Sequence, residues 1–232
     1  MKQLFILSFI AISLFSCNNN ESKNNKETQK IIESEKLLED SIKKSEQLRI
    51  DSLSKIAWGD AKFGMSLKEA KNTNSFKEGY NYREKGSPYQ SLKLFSSETK
   101  IDGISSIEAT FFNDKLYRID MESREQTANY WNTDIKNTIL RLKKMIEDKY
   151  GSPTKNNGIP NFLDMNPDVY RTVCEWVIGD KHIIIQVGEV YNGSKYKVLC
   201  AIFHDKESDA SREYLSKQYE EKQKIEKQNN GF

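Results

Sequence analysis

Hydrophobic and polar positions follow regular periods over most of this chain, and the period changes along it. From Thr127 to Tyr150, Trp131, Ile135, Ile139, Leu142, Ile146 and Tyr150 recur every three or four positions. That spacing predicts a helix with one buried face, stopped by Gly151 and Pro153. From Ile104 to Glu122 the period is two, as in a hairpin. A three-residue loop, Asn113-Asp114-Lys115, pairs Phe111 with Tyr117, Ala109 with Ile119 and Ile107 with Met121. A two-residue loop sets Glu108 against Ile119 instead, so the apolar pattern selects the longer one. Three further strands, 169–178, 181–191 and 194–203, are separated by the turn signals Gly179-Asp180 and Asn192-Gly193. Those turns set Cys174, Ile185 and Cys200 in one row of a meander, and Trp176, Ile183 and Ile202 in another. Both rows are apolar, which supports the register independently of the turns.

Upstream, Trp58 to Phe63 reads as a first strand ending at Gly64. Ser66 and Glu69 form a capping box, predicting a short helix from Leu67 to about Asn72. Residues 73–91 give no clear period, and Tyr89 to Phe95 reads as a second strand. Ser208 to about Gln228 is a charged helix with weak apolar spacing.

Before the domain lies an internal repeat. Ser34 to Lys44 aligns without gaps on Ser45 to Lys55, and Ile31, Ile42 and Leu53 share one column. Eleven residues are close to three helical turns, so equivalent side chains stay on one face. The repeat predicts a charged helix over 27–56, extending roughly 45 Å. It reads as a solvated stalk, with a right-handed coiled coil to another chain as the alternative. Residues 18–26 are polar and low in complexity, a flexible tether.

The chain starts Met1-Lys2-Gln3, and the apolar run Leu4–Phe15 suits a secretory signal but is too short to span a bilayer. Leu14-Phe15-Ser16-Cys17 resembles the lipobox of bacterial lipoproteins. The resemblance implies that Cys17 is lipidated and becomes the mature N-terminus, so that the membrane is reached through a lipid anchor. More than one acyl chain makes such an anchor nearly permanent. Asn18 follows the cysteine where an Asp marks inner-membrane retention in enterobacterial lipoproteins, which favours the outer membrane. The Asn- and Lys-rich sequence after Cys17 resembles lipoproteins of the Bacteroidetes type.

Composition narrows the chemistry. Charged residues make up 30% and the net charge is +2, with no basic stripe, so nucleic acid is not an expected partner. Cys174 and Cys200 invite a disulfide in an oxidising compartment. The meander puts a strand between them, about 9–10 Å apart, beyond the roughly 7 Å a bridge allows. They read as two buried thiols; another strand order would permit the bond. His182 and His204 lack metal-ligand spacing, and neither a metal nor another cofactor is expected. No nucleophile elbow, P-loop or dinucleotide fingerprint is present, and no catalytic residue is assigned.

Two stretches carry a candidate binding surface. Phe76, Tyr80, Tyr82, Arg83 and Tyr89 combine aromatic faces with positive charge, types enriched in interface hot spots. The long loop 152–168 contains Phe162, Leu163 and Met165. The alternative is that these aromatics simply cover the sheet.

Phe63-Gly64-Met65-Ser66-Leu67-Lys68-Glu69-Ala70 resembles the opening of SmpA/OmlA-type outer-membrane-assembly lipoproteins. That resemblance implies a lipobox, a tether and a small α+β domain. The family's Leu-x-Gly-x-Pro continuation is replaced by Lys71-Asn72-Thr73-Asn74, and no functional residue is carried over. The expected fold is α+β: an antiparallel sheet of hairpin and three-strand meander packed on one long helix, with an N-terminal helical stalk. Its expected divisions are signal 1–16, lipidated tether 17–26, stalk 27–56, α+β domain 57–205 and charged helical tail 206–232. The functional expectation is an envelope lipoprotein that binds an envelope protein or cell-wall partner. A glycan or small-ligand binder using residues 76–89 is the alternative, and a hydrolase with an unrecognised site is a third reading.

Overall fold

The computed structural model describes residues 21–83, 86–167, 169–190 and 195–229, with side chains from Gln29 onward and excluding that of Arg83. The chain divides into a first unit ending at Gln47 and a second from Leu48 to Phe232. Helix α1 spans Glu21–Ser54, so residues 21–26, expected in a flexible tether, are helical, and the helix stops short of residue 56. The repeat is visible in its hydrogen bonds. Ser34 Oγ donates to the Ile31 carbonyl and Ser45 Oγ to the Ile42 carbonyl, each at 2.8 Å and eleven residues apart. Within the first unit Ile31, Ile32, Leu37, Leu38 and Ile42 are all more than half exposed.

In the second unit the class is α+β, as expected. An antiparallel eight-stranded sheet has the order β3-β4-β5-β6-β10-β9-β8-β7. Its strands are β3 (Tyr80–Arg83), β4 (Tyr89–Phe95), β5 (Ile104–Phe112), β6 (Lys115–Ser123), β7 (Lys155–Asn156), β8 (Tyr170–Ile178), β9 (Lys181–Val190) and β10 (Lys195–His204). One face is built of apolar rows. Leu92, Ala109, Ile119, Ile202, Ile183 and Trp176 are successive cross-strand partners, and all are buried. Leu94, Ile107, Met121, Cys200, Ile185 and Cys174 form the next such row. Each large side chain here contributes about 1.5–3 kcal/mol of burial. Helix α4 (Lys136–Tyr150) covers this face with Ile139, Leu142 and Ile146. The expected meander register holds on both sides of the segment containing Asn192-Gly193, which lies outside the described residues. Cys174 and Cys200 are free buried thiols with Ile185 between them.

The β5–β6 turn departs from expectation. Phe111 pairs with Leu116 and Phe112 with Lys115, so the loop has two residues, Asn113 and Asp114, both at positive φ. Tyr117 is then taken up as a bulge, which restores Ala109 opposite Ile119 and Ile107 opposite Met121. Asp114 also accepts the Leu67 N–H at 2.9 Å, joining the turn to helix α2 (Leu67–Lys71), whose Ser66–Glu69 capping box is formed.

Other boundaries move as well. The expected strand 58–63 is a small hairpin, β1 (Ile56–Trp58) and β2 (Ala61–Lys62), turning at Gly59-Asp60. Asp60 accepts from the Asn74 and Ser75 backbone and from Ser75 Oγ, and chiefly that hydroxyl brings its pKa down to about 2. The second unit begins nine residues before the expected residue 57, because Ile50 and Ser54 pack against Gly179. A short helix α3 (Ser96–Thr99) follows β4. The expected helix 127–150 is regular only in α4; a 3-10 turn (Ala128–Tyr130) and a π turn (Trp131–Ile135) precede it. Helix α5 (Asp205–Asn229) starts directly at the end of β10, and its first turns bury Ser208 and Ser211 against the second sheet face.

Candidate functional site

The residues singled out in the sequence fall in different places. Cys17 lies outside the described residues. Phe76 is fully buried and is a core residue, so it leaves the candidate surface. Tyr89 is half-buried; its hydroxyl is 3.0 Å from Ser211 Oγ, and its ring packs on Phe112 and Tyr214. It holds α5 to the sheet. Phe162 meets Trp131 and Tyr196 edge-on, at 5.8 and 5.4 Å between centroids, and closes one end of the core, although its neighbour Leu163 is 82% exposed. For these three aromatics the covering role applies. Arg83 ends β3, and its side chain lies outside the described residues.

Tyr80 and Tyr82 remain. They are 61% and 70% exposed and lie on β3, which forms one edge of the sheet. Their cross-strand partners are Lys93 and Ser91, so both rings stand on the face opposite the apolar rows. A third aromatic joins them: Phe95, 47% exposed, with its ring 5.7 Å from that of Tyr80. Beside this platform Lys93 pairs with Glu108 at 3.2 Å. Phe95 was readable from its spacing. Leu92 and Leu94 face the core, which turns Lys93 and Phe95 outward. The edge thus combines three exposed rings, an ion pair and a backbone edge that no described strand pairs with, features suited to holding an extended chain.

Elsewhere on this face, His182 stacks on Phe203 with rings 5.1 Å apart and 4° from parallel. Glu175 approaches one ring nitrogen at 3.4 Å and Asp205 the other at 3.0 Å. The carboxylates bracket the ring from opposite edges and do not converge on a point. No group of three or more His, Cys, Asp or Glu among the described residues is placed to hold a metal ion. Burial raises Cys200 to about 12 and moves Cys174 upward too, which keeps both as thiols.

Lys181 is the most perturbed amine. It is fully buried, and its Nζ donates to the Ile56 carbonyl and to Tyr150 Oη, both at 2.7 Å. Desolvation, with Lys149 adding repulsion, lowers its pKa to about 7. Such a neutral amine is a nucleophile in principle, but no solvent reaches it here, and its two hydrogen bonds instead tie β1 to α4.

Among the described residues no helix is long and apolar enough to cross a membrane. No protein-family model, curated protein or solved structure matches the chain.

Proposed function

We propose that this protein is a lipid-anchored module of the cell envelope that binds an envelope protein at its β3 edge. Cys17 supplies the anchor, to the outer membrane by the residues that follow it. The observation that carries the binding reading is the exposed Tyr80–Tyr82–Phe95 cluster on an edge strand. Tyrosines give rigid contact area at low entropic cost and are frequent hot spots. An added strand would gain main-chain hydrogen bonds from β3 and side-chain contacts from the two rings.

Photo-crosslinking in intact cells tests this. A photoreactive phenylalanine analogue at Tyr80 or Tyr82 should give the same discrete protein adduct, and one at exposed Leu140 on α4 should not. Adducts shared with Leu140, or none, would count against the edge. Three exposed rings also suit stacking on sugar faces, and a carbohydrate adduct would replace the protein reading with that one.

A further inference from the structure

A second feature lies beside the first turns of α4. The π turn Trp131–Ile135 makes the Lys136 N–H reach back to both the Trp131 and Thr133 carbonyls. Such turns are rare, occur mostly as single turns inside α-helices, and are frequent at functional sites. Facing it, Gly103 adopts φ +87°, and a Cβ there would sit 2.4 Å from Thr138 Oγ1. Only glycine lets the α3–β5 loop press this closely on α4. Between these two irregular backbones is a cleft of about 370 Å³, within the range of small-ligand sites.

The charges in the cleft decide what it suits. Arg141 is already paired with Asp102 across it. Arg124 and Asp134 also line it, both exposed and neither in an ion pair with a described residue. One guanidinium and one carboxylate are therefore left over. A simple anion satisfies the first and is repelled by the second; a cation does the reverse. A molecule carrying both charges satisfies both.

We propose that this cleft binds a small zwitterion, an amino acid or a short free peptide, with Arg124 taking the carboxylate and Asp134 the ammonium group. The proposal uses none of the β3 edge, and either can fail alone.

The test is calorimetric titration of the full-length, detergent-solubilised protein with alanyl-alanine at neutral pH. Saturable binding is expected. The N-acetylated, C-amidated dipeptide should bind at least about tenfold more weakly, as charge-assisted hydrogen bonds are lost at both ends. Arg124→Gln and Asp134→Asn should each weaken alanyl-alanine by about tenfold with the melting temperature unchanged. The blocked dipeptide on the unaltered protein gives the same comparison without any substitution. No saturable heat with alanyl-alanine would overturn the proposal. So would equal binding of the blocked dipeptide, equal binding of acetate or inorganic phosphate, or wild-type affinity in both variants.

Discussion

Lys181→Met should change how stability depends on pH, and even the sign of the effect. Holding the buried amine at about 7 instead of 10.5 costs the folded state about 5 kcal/mol at and below neutral pH. The folded pKa is lowered, so between the two values the unfolded chain holds the extra proton. Wild-type stability therefore rises with pH across that window, until the amine is neutral in both states. Methionine has a similar length and no charge, which removes the cost. It also leaves the Ile56 carbonyl and Tyr150 hydroxyl without Nζ, at about 1–2 kcal/mol each. The variant should be about 2 kcal/mol more stable than wild type near pH 6.5 and about 2–3 kcal/mol less stable near pH 10.5. Urea unfolding of the Cys17→Ser chain, followed by fluorescence of the buried Trp131 and Trp176, reads both numbers. A difference that stays constant from pH 6.5 to 10.5 would refute the argument, because it would mean that Lys181 titrates alike in both states.

Four further outcomes are expected. Cys174 and Cys200 should resist alkylation in the folded protein and both be alkylated after denaturation without reductant; mass spectrometry showing a bond between them would contradict the strand order. Asp114→Ala should lower stability by about 1–2 kcal/mol, since it removes the acceptor for the Leu67 N–H and strains a residue at φ +60°; an unchanged denaturation midpoint would argue against that junction. Cys17→Ser should free the protein from the membrane fraction or leave an unprocessed precursor, and normal processing with membrane retention would end the lipoprotein reading. Deleting residues 34–44 removes one repeat while keeping helical phase, and should leave the melting temperature of the second unit unchanged, which calorimetry can check.

Much of the sheet was legible because two independent signals agreed on it. In the meander, turn residues and apolar rows specify the same register, and Cys174, Ile185 and Cys200 fall in line. The β5–β6 loop misled because a two-residue turn plus a bulge produces the same pairing at Ala109 and Ile107 as a three-residue loop. A periodic pattern reports parity and cannot tell where an extra residue is absorbed. Strand β3 was hidden for another reason. Asn81, Tyr80 and Tyr82 are all exposed, so an edge with neither side buried leaves no alternation to read. The candidate site was half legible. Aromatic composition marks Phe76, Tyr89, Phe162, Tyr80 and Tyr82 alike, because a ring serves equally in a core, under a helix or in solvent. Only their tertiary neighbours separate the two exposed tyrosines from the rest. The π turn carries no such trace, since Trp131 and Ile135 keep ordinary helical spacing.

The pairing of β6 with β10 governs the order in which this domain can assemble. From β3 to β6 each strand pairs with its successor in the chain, and so do the strands from β7 to β10. Both groups close through local loops and can form early. Their single seam brings Met121 beside Cys200, and closing it joins two strands separated in sequence by α4 and by β7 to β9. Non-local pairing of this kind is slow and comes after local structure. Until it forms, β6 and β10 each present a bare apolar-faced edge. The interval before seam closure is therefore when the folding chain is most exposed to aggregation, and when a chaperone would have most to protect.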